Sequence, residues 1–175
     1  MKENNLDQDD LSREMILDLF YKTKGNLDQI NIAIDEKLAP SGYRKITLFE
    51  EFIKNRIAIN PRVLKMPQME ISAIETIYLS QHPAIKEVEV LDLRKNFIGD
   101  LGAEALAQSS FLNNLRELDL RNNGISRLGV KVLSESNNLS CLERIDLRLN
   151  KLGKSWEKKF FETGNFQKLS QIKTI

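Results

Sequence analysis

A spacing of 27 residues recurs through the C-terminal part of the chain. One apolar position of the repeated segment keeps this step: Leu91, Leu118, Ile145 and Ile172. An asparagine keeps the same step: Asn96, Asn123 and Asn150. Counting back by 27 from Leu91 reaches Leu64, so a degenerate copy precedes the others. A fixed period of this size indicates a repeat architecture, in which each unit buries its apolar face only by stacking on its neighbours.

Each copy combines two periodicities. The segment from Leu115 to Leu120 alternates apolar and polar residues, which predicts a short strand. The residues that follow have the apolar spacing of a helix, as at Leu128 and Leu133. Gly102 falls early in one helical segment, and Gly129 in the next, where close packing of backbones would exclude a side chain. The sequence therefore predicts α/β units of one strand and one helix.

The pattern L-x-x-L-x-L-x-x-N-x-I/L followed by a helix resembles the leucine-rich repeat family, in its ribonuclease-inhibitor-like class. The resemblance covers about residues 61–175. It implies a short α/β solenoid with parallel strands on a concave face and helices on a convex face. Met69 replaces the asparagine in the first copy, and Trp156 replaces the glycine in the last. Such departures are expected in terminal copies, which must close an open core.

The repeat register divides the predicted solenoid into five parts. A degenerate repeat covers residues 61–87, full repeats cover 88–114, 115–141 and 142–168, and a terminal strand covers 169–175. A capping box at Ser72-Ala-Ile-Glu75 is predicted to open the helix of the degenerate repeat.

Residues 1–60 show no repeat, and three helical stretches are predicted there. The first runs from about Leu11 to Lys22, the second from Leu27 to Leu38, and the third opens with a capping box at Thr47-Leu-Phe-Glu50. We expect a helical N-terminal cap region that covers the end of the repeat core. The turn at Gly25-Asn26 also resembles that of ubiquitin-associated or helix-turn-helix units, so a separate binding module is an alternative. A net charge of −2 over residues 1–60, from 9 Lys/Arg and 11 Asp/Glu, disfavours DNA binding.

The charge and hydropathy of the chain limit which partners it is expected to bind and where in the cell it is expected to be. The net charge of +1 provides no long-range attraction to nucleic acid or to acidic membranes. No apolar run approaches the roughly 18 residues that a membrane-spanning helix needs. Residues 1–10 are polar and acidic, unlike a signal peptide, so we expect a cytoplasmic protein. Export by a specialised secretion system would leave the same pattern.

Candidate catalytic residues are few. His82 is the sole histidine and Cys141 the sole cysteine, and neither has a partner at ligand or catalytic spacing. We expect His82 in a helix-to-strand turn and Cys141 as a packed thiol. The segment Gly99–Gly102 lacks the lysine of a phosphate-binding loop. The sequence therefore predicts no enzyme activity, no cofactor, no metal and no small-molecule substrate.

Side chains between the strand anchors point away from the core and onto the predicted concave face. These candidate partner-binding residues are Lys65, Val90, Asp92, Arg94, Lys95, Glu117, Asp119, Arg121, Asn122, Arg144, Asp146 and Arg148. They contain two columns, by which we mean residues 27 apart in neighbouring repeats. One column holds three aspartates and the other holds three arginines.

The two columns have different interpretations. Aspartate at this position is common in the family that the pattern resembles, so the aspartate column is expected to be mostly scaffold. The arginine column either neutralises the aspartates or forms a stripe that binds carboxylates or phosphates of a partner, since the guanidinium group binds both bidentately. Both interpretations of the arginine column stay open at this point.

The function that this pattern favours is protein–protein interaction through the concave face. One alternative is an exported bacterial effector or host-interacting factor that uses the same repeats. Another is a regulator of a small GTPase or of actin. The third is nucleic-acid binding through the arginine stripe, which the alternating aspartates disfavour.

Overall fold

A computed structural model shows two compact units, Met1–Glu51 and Phe52–Ile175. It describes residues 13–41, 44–150, 152, 155–166 and 168–174. Within these ranges no helix is both long enough and apolar enough to cross a membrane.

The first unit is helical. Helix α1 spans Arg13–Lys22, helix α2 spans Leu27–Leu38, and one 3₁₀ turn follows at Ala39–Ser41. Between α1 and α2, Lys24 and Gly25 adopt left-handed conformations, and Asn26 caps α2 by accepting the backbone N–H of Gln29 at 3.2 Å. The predicted bounds of α2 are confirmed, whereas the predicted start of α1 at residue 11 lies outside the described residues.

Helix α3 spans Ile46–Ile59, beginning in the first unit and ending in the second, and its start corrects one prediction. The capping box predicted at Thr47–Glu50 is wrong, because Thr47 already lies inside the helix. The carboxylate of Asp35 caps the helix instead, accepting the Ile46 N–H at 2.5 Å and the Thr47 hydroxyl at 2.7 Å. Glu50 accepts a hydrogen bond from the Asn31 amide at 2.6 Å. A carboxylate from α2 thus supplies the cap that the local sequence suggested for Thr47.

Five parallel strands form the sheet of the second unit, in sequence order. They are β1 (Val63–Lys65), β2 (Val90–Asp92), β3 (Glu117–Asp119), β4 (Arg144–Asp146) and β5 (Gln171–Lys173). Leu64 lies opposite Leu91, and every later pair keeps this register, ending with Ile145 opposite Ile172. The 27-residue step, including the degenerate first copy, is confirmed.

A helix follows each of the first four strands. The helices are α4 (Ala73–Gln81), α5 (Gly99–Gln108), α6 (Arg127–Ser134) and α7 (Ser155–Thr163), with a 3₁₀ segment at Pro83–Glu87. Helix α4 opens with the predicted capping box of Ser72 and Glu75. The inward anchors of the strands are buried, as is the helix column of Leu79, Leu106, Leu133 and Phe160. The repeats with α5 and α6 therefore pack as equivalent layers of one strand and one helix, which makes this unit a short α/β solenoid.

Two helix glycines permit this close stacking. A Cβ atom at Gly129 would lie 3.1 Å from the Cα atom of Asp100, and one at Gly102 would lie 3.1 Å from the Cβ atom of Thr76. The expectation of close backbone packing is confirmed at Gly129, whereas at Gly102 it is side-chain atoms of Thr76 and Ile98 that leave no room for a Cβ atom. At the equivalent position in α7, Trp156 is partly exposed, with the Lys159 ammonium 5.3 Å from the centre of its ring.

The repeated asparagines join adjacent layers. The amide oxygen of Asn96 accepts the N–H groups of Met69 and Ile71 at 2.9 and 3.1 Å, and its amide nitrogen donates to two carbonyls. Asn150 makes the same four bonds two repeats further on, where its oxygen accepts the N–H groups of Asn123 and Ile125. Asn123 departs from this pattern. Its amide nitrogen donates twice, but its buried oxygen has no partner among the described residues. The ladder is therefore stronger at its two outer asparagines than at its centre.

This asymmetry predicts unequal effects of removing the amides. We expect Asn96→Ala and Asn150→Ala each to lower the free energy of unfolding by about 3 kcal/mol, because each leaves three backbone groups, two N–H groups and one carbonyl, without a partner. Asn123→Ala leaves neither of its two carbonyls without a donor, because Asn96 also binds the Leu93 carbonyl and the Lys95 N–H binds that of Arg121, so we expect a loss of at most about half that size. Urea unfolding followed by circular dichroism measures all three. Equal losses would contradict the asymmetry.

Candidate functional site

The outward side of the sheet forms a shallow concavity of about 310 Å³. Its walls come from the middle of all five strands, where side chains alternate between the core and solvent. The lining residues are Lys65, Val90, Leu91, Asp92, Glu117, Leu118, Asp119, Arg144, Ile145, Asp146, Gln171 and Lys173. Seven of the predicted site residues lie together here. Gln171 and Lys173 also line it, although the predicted set did not extend to the terminal strand.

The other five predicted residues lie beyond the strand ends, in the strand-to-helix loops, by which we mean residues 94–98, 121–126 and 148–150. They are Arg94, Lys95, Arg121, Asn122 and Arg148, and they do not line the concavity. The predicted face therefore consists of a strand part and a loop part.

The aspartate column helps to form the turns that end the strands. The carboxylates of Asp92, Asp119 and Asp146 each accept the backbone N–H of the arginine two residues later, at 3.2 Å in every case. Such a side-chain bond bends the chain out of the strand. These contacts give the aspartates a structural role, as the resemblance implied.

The arginine column lies against the aspartate column. Arg121 binds Asp119 with two nitrogens, at 2.9 and 2.5 Å, and Arg148 binds Asp146 in the same way, at 3.0 and 2.7 Å. Arg121 also approaches Asp146 of the next repeat at 3.5 Å. Arg94 holds Asp92 more loosely, with its nearest nitrogen 3.6 Å from the carboxylate. Paired carboxylates reduce the repulsion that stacked arginines would otherwise feel, so much of this stripe is neutralised within the protein.

The pairing shifts the pKa values of Asp146, Arg148 and Arg121. Burial would raise the pKa of Asp146, but hydrogen bonds from the side chain and backbone of Arg148, with the charges of Arg148 and Arg121, lower it overall. The hydrogen bond to Asp119 raises the pKa of Arg121, and the bond to Asp146 raises that of Arg148. The ionised pairs are thus the stable form at neutral pH.

A second set of ion pairs precedes the strands and was missed by the sequence analysis. Arg116 lies between two glutamates of neighbouring repeats, 3.7 Å from Glu89 and 2.5 Å from Glu143. Arg62 extends the set at 3.6 Å from Glu89, so the signs alternate along one column. The signal was available in the sequence, since these residues are 27 apart.

The candidate catalytic residues have structural contacts. Buried His82 ends α4, and its Nδ1 atom accepts the N–H of Ala84 at 3.2 Å, at the start of the 3₁₀ segment. It therefore lies in the predicted helix-to-strand turn. Cys141 is half-buried, and the Lys168 ammonium lies 3.7 Å from its sulfur. In the part of the chain that the structure describes, no three His, Cys, Asp or Glu side chains form a group that could hold a metal ion.

Comparison with known protein families finds a match at two of the repeats. A family model described as a leucine-rich repeat matches residues 88–107 and 111–134. These segments contain β2 with α5, and β3 with α6. No curated protein matches the chain.

The lowered pKa of Asp146 predicts a pH-dependent contribution to stability. A carboxyl group with a lowered pKa in the folded state stabilises the fold above its ordinary pKa of 3.8, and this contribution is lost as the pH falls through the folded-state value. We expect Asp146→Asn, which keeps the backbone acceptor, to cost about 1 kcal/mol at about pH 7, allowing for solvent screening, and to cost little at about pH 2.5. Urea unfolding across this range measures the difference.

A matched control is Glu87→Gln, which changes an exposed carboxylate that forms no ion pair with any described residue. Its effect should stay near zero at both pH values. A cost for Asp146→Asn that persisted undiminished in acid would contradict the ionic origin of the effect.

Proposed function

Because the chain contains leucine-rich repeats that fold as a short solenoid, we propose that it binds a protein partner through the concave side of its sheet. Repeats of this family are in general protein-interaction modules. The concavity is open and polar at its margins, as a binding surface for a macromolecule needs to be. We also propose that the repeats are of the ribonuclease-inhibitor-like class, that residues 1–60 form a cap region, and that the protein acts by binding rather than by catalysis.

The observation that carries the proposal is the distribution of unpaired charge across the concavity. One outward column runs through Lys65, the three aspartates and Lys173. The aspartates are occupied by turn N–H groups and arginines. Neither terminal lysine forms an ion pair with a described residue. Two free cations at the ends of one column favour a partner that presents carboxylates to both ends of the sheet.

The same contacts argue against nucleic acid as the partner. A phosphate backbone requires several free cations along a stripe, and Arg121 and Arg148 are each engaged by an aspartate of their own repeat. A protein surface, in contrast, can satisfy the mixed charges of Glu117 and Arg144, which pair with each other near the centre of the concavity.

The test is charge reversal at the two lysines. We expect the double variant Lys65→Glu/Lys173→Glu to lose at least about 90% of the specific protein capture from a lysate of the source cells, because rim charges control encounter and register. Quantitative mass spectrometry of material captured by the wild type and by the variant measures the loss. The arginines are a poorer choice, since a glutamate beside Asp119 or Asp146 would destabilise the fold.

The matched control is Lys86→Glu, an exposed lysine outside the concavity that forms no ion pair with any described residue. It should capture the same proteins as the wild type. Equal capture by the wild type and the double variant would exclude the concavity as the binding site. Capture abolished by nuclease treatment would indicate nucleic acid instead.

A further inference from the structure

The central asparagine of the ladder differs from the two outer ones in one respect. Asn123 is 2% exposed, and its amide oxygen has no partner among the described residues. In the outer layers this oxygen accepts two N–H groups from a loop of the preceding repeat. By the 27-residue step, the equivalent donors for Asn123 are the N–H groups of Asn96 and Ile98, and neither of them reaches its oxygen. An unpaired polar atom in a buried place is unfavourable and requires a physical explanation.

The explanation lies in one position of the loops that leave the strands. We call residues 66–72, 94–98 and 121–126 the first, second and third loops. Glu70 in the first loop has a φ of 56°, and the equivalent Gly124 in the third has a φ of 69°, so both are left-handed. Phe97 occupies this position in the second loop, and its φ is not positive. A bulky aromatic residue disfavours the left-handed region, which glycine enters without steric cost, so the second loop takes a different path.

Two backbone hydrogen bonds of its own stabilise the path of the second loop. The Phe97 N–H donates to the Ile71 carbonyl at 2.8 Å, and the Gly99 N–H donates to the Asn123 carbonyl at 3.0 Å. Gly99 is itself left-handed, with a φ of 59°. The residue equivalent to Gly99 after the third loop path is Ser126, which is extended with a φ of −91° and caps α6. The second loop therefore makes two bonds in place of the two that the Asn123 oxygen would accept.

The two paths are close in free energy. Changing the second loop to the path of its neighbours would break two backbone hydrogen bonds and form two bonds to the Asn123 oxygen. It would remove the cost of an unpaired buried oxygen and add the cost of a left-handed Phe97, and these costs are of similar size. Sterically the change is open, because Glu70 takes this conformation with a side chain, and nothing lies within 4 Å of a Cβ atom built on Gly124.

We propose that residues 96–99 are a two-state switch. In the major state the loop takes the observed path. In the minor state it takes the path of the first and third loops, with Phe97 left-handed and the N–H groups of Asn96 and Ile98 bonded to Asn123. The change tightens the junction between the second and third repeats and turns the Phe97 ring in another direction. A ligand that contacts this ring in one state only shifts the populations by its difference in affinity.

The switch is independent of the function proposed above, because residues 96–99 do not line the concavity. Its test is Phe97→Gly, which removes the cost of the left-handed conformation and so makes the minor path the major one. The Phe97 side chain is 69% exposed, so we expect the variant to fold. In hydrogen exchange followed by NMR, the Asn96 and Ile98 amides should gain at least about tenfold protection over the wild type. The Asn123 amide already donates to Asn150 and should be unchanged.

A double-mutant cycle measures the new bonds. In the wild type no N–H group loses an acceptor when the Asn123 amide is removed, whereas in Phe97→Gly two do. We therefore expect Asn123→Ala to lower the folding equilibrium constant at least about tenfold more in the Phe97→Gly background than in the wild type. Phe97→Ala is the matched control, since it removes the same ring but keeps a Cβ atom, and its coupling to Asn123→Ala should stay below about twofold. Equal coupling for both variants at position 97, or none for either, would overturn the proposal.

The wild type should itself show the exchange between the two paths. In NMR relaxation dispersion, we expect the amides of Asn96, Ile98 and Gly99 to report a minor state of about 1–10%, exchanging in microseconds to milliseconds. This signal should vanish in Phe97→Gly. Flat dispersion and saturation-transfer profiles at these three amides in the wild type would show a single path, and the switch would then be excluded.

Discussion

The parallel register of the five strands is the constraint on which the second unit depends. Each strand contributes only three residues, too few to hold its place by backbone pairing alone. Asn96 and Asn150 supply what is missing, since each ties two N–H groups of the preceding loop to carbonyls of two layers. Burying these amides is favourable only when all their bonds are made, so a shift of register is strongly disfavoured.

The same register decides which charges remain available to a partner. Stacking residues 27 apart brings like charges together, and the protein resolves this within each repeat by pairing Arg121 with Asp119 and Arg148 with Asp146. In the segments that precede the strands, opposite charges pair between neighbouring repeats instead, where Arg116 lies between Glu89 and Glu143. Along the described strands and the loops that follow them, unpaired charges remain at the two ends of the concavity, at Lys65 and Lys173, and at Lys95. Binding is therefore expected at these places rather than along the stacked arginines.

Repetition made most of the second unit predictable from its sequence. The strand register, the buried helix column and the Ser72 capping box follow from residues that recur or from a local motif. The start of α3 did not follow, because its cap comes from Asp35 of another helix, a tertiary contact with no local signal.

The site was predictable only in part. The outward residues of the strands could be named from the alternation of apolar and polar residues alone. Whether the arginines pair with the aspartates or bind a partner was left open by the sequence, and the ion pairs appear only in the structure. The different path of the loop at residues 94–98 could not be foreseen, because the ladder asparagines keep one step in the sequence whether or not their oxygens are paired.

Distance measurement between the ends of the concave column tests the register most directly. Spin labels on cysteines replacing Lys65 and Lys173, with Cys141 changed to Ser, lie on strands four spacings apart. At about 4.8 Å for each spacing, the backbones are about 19 Å apart, so pulsed electron resonance should give one narrow distribution near 20–25 Å. A broad distribution, or one centred beyond about 35 Å, would contradict a continuous five-stranded stack and the binding surface built on it.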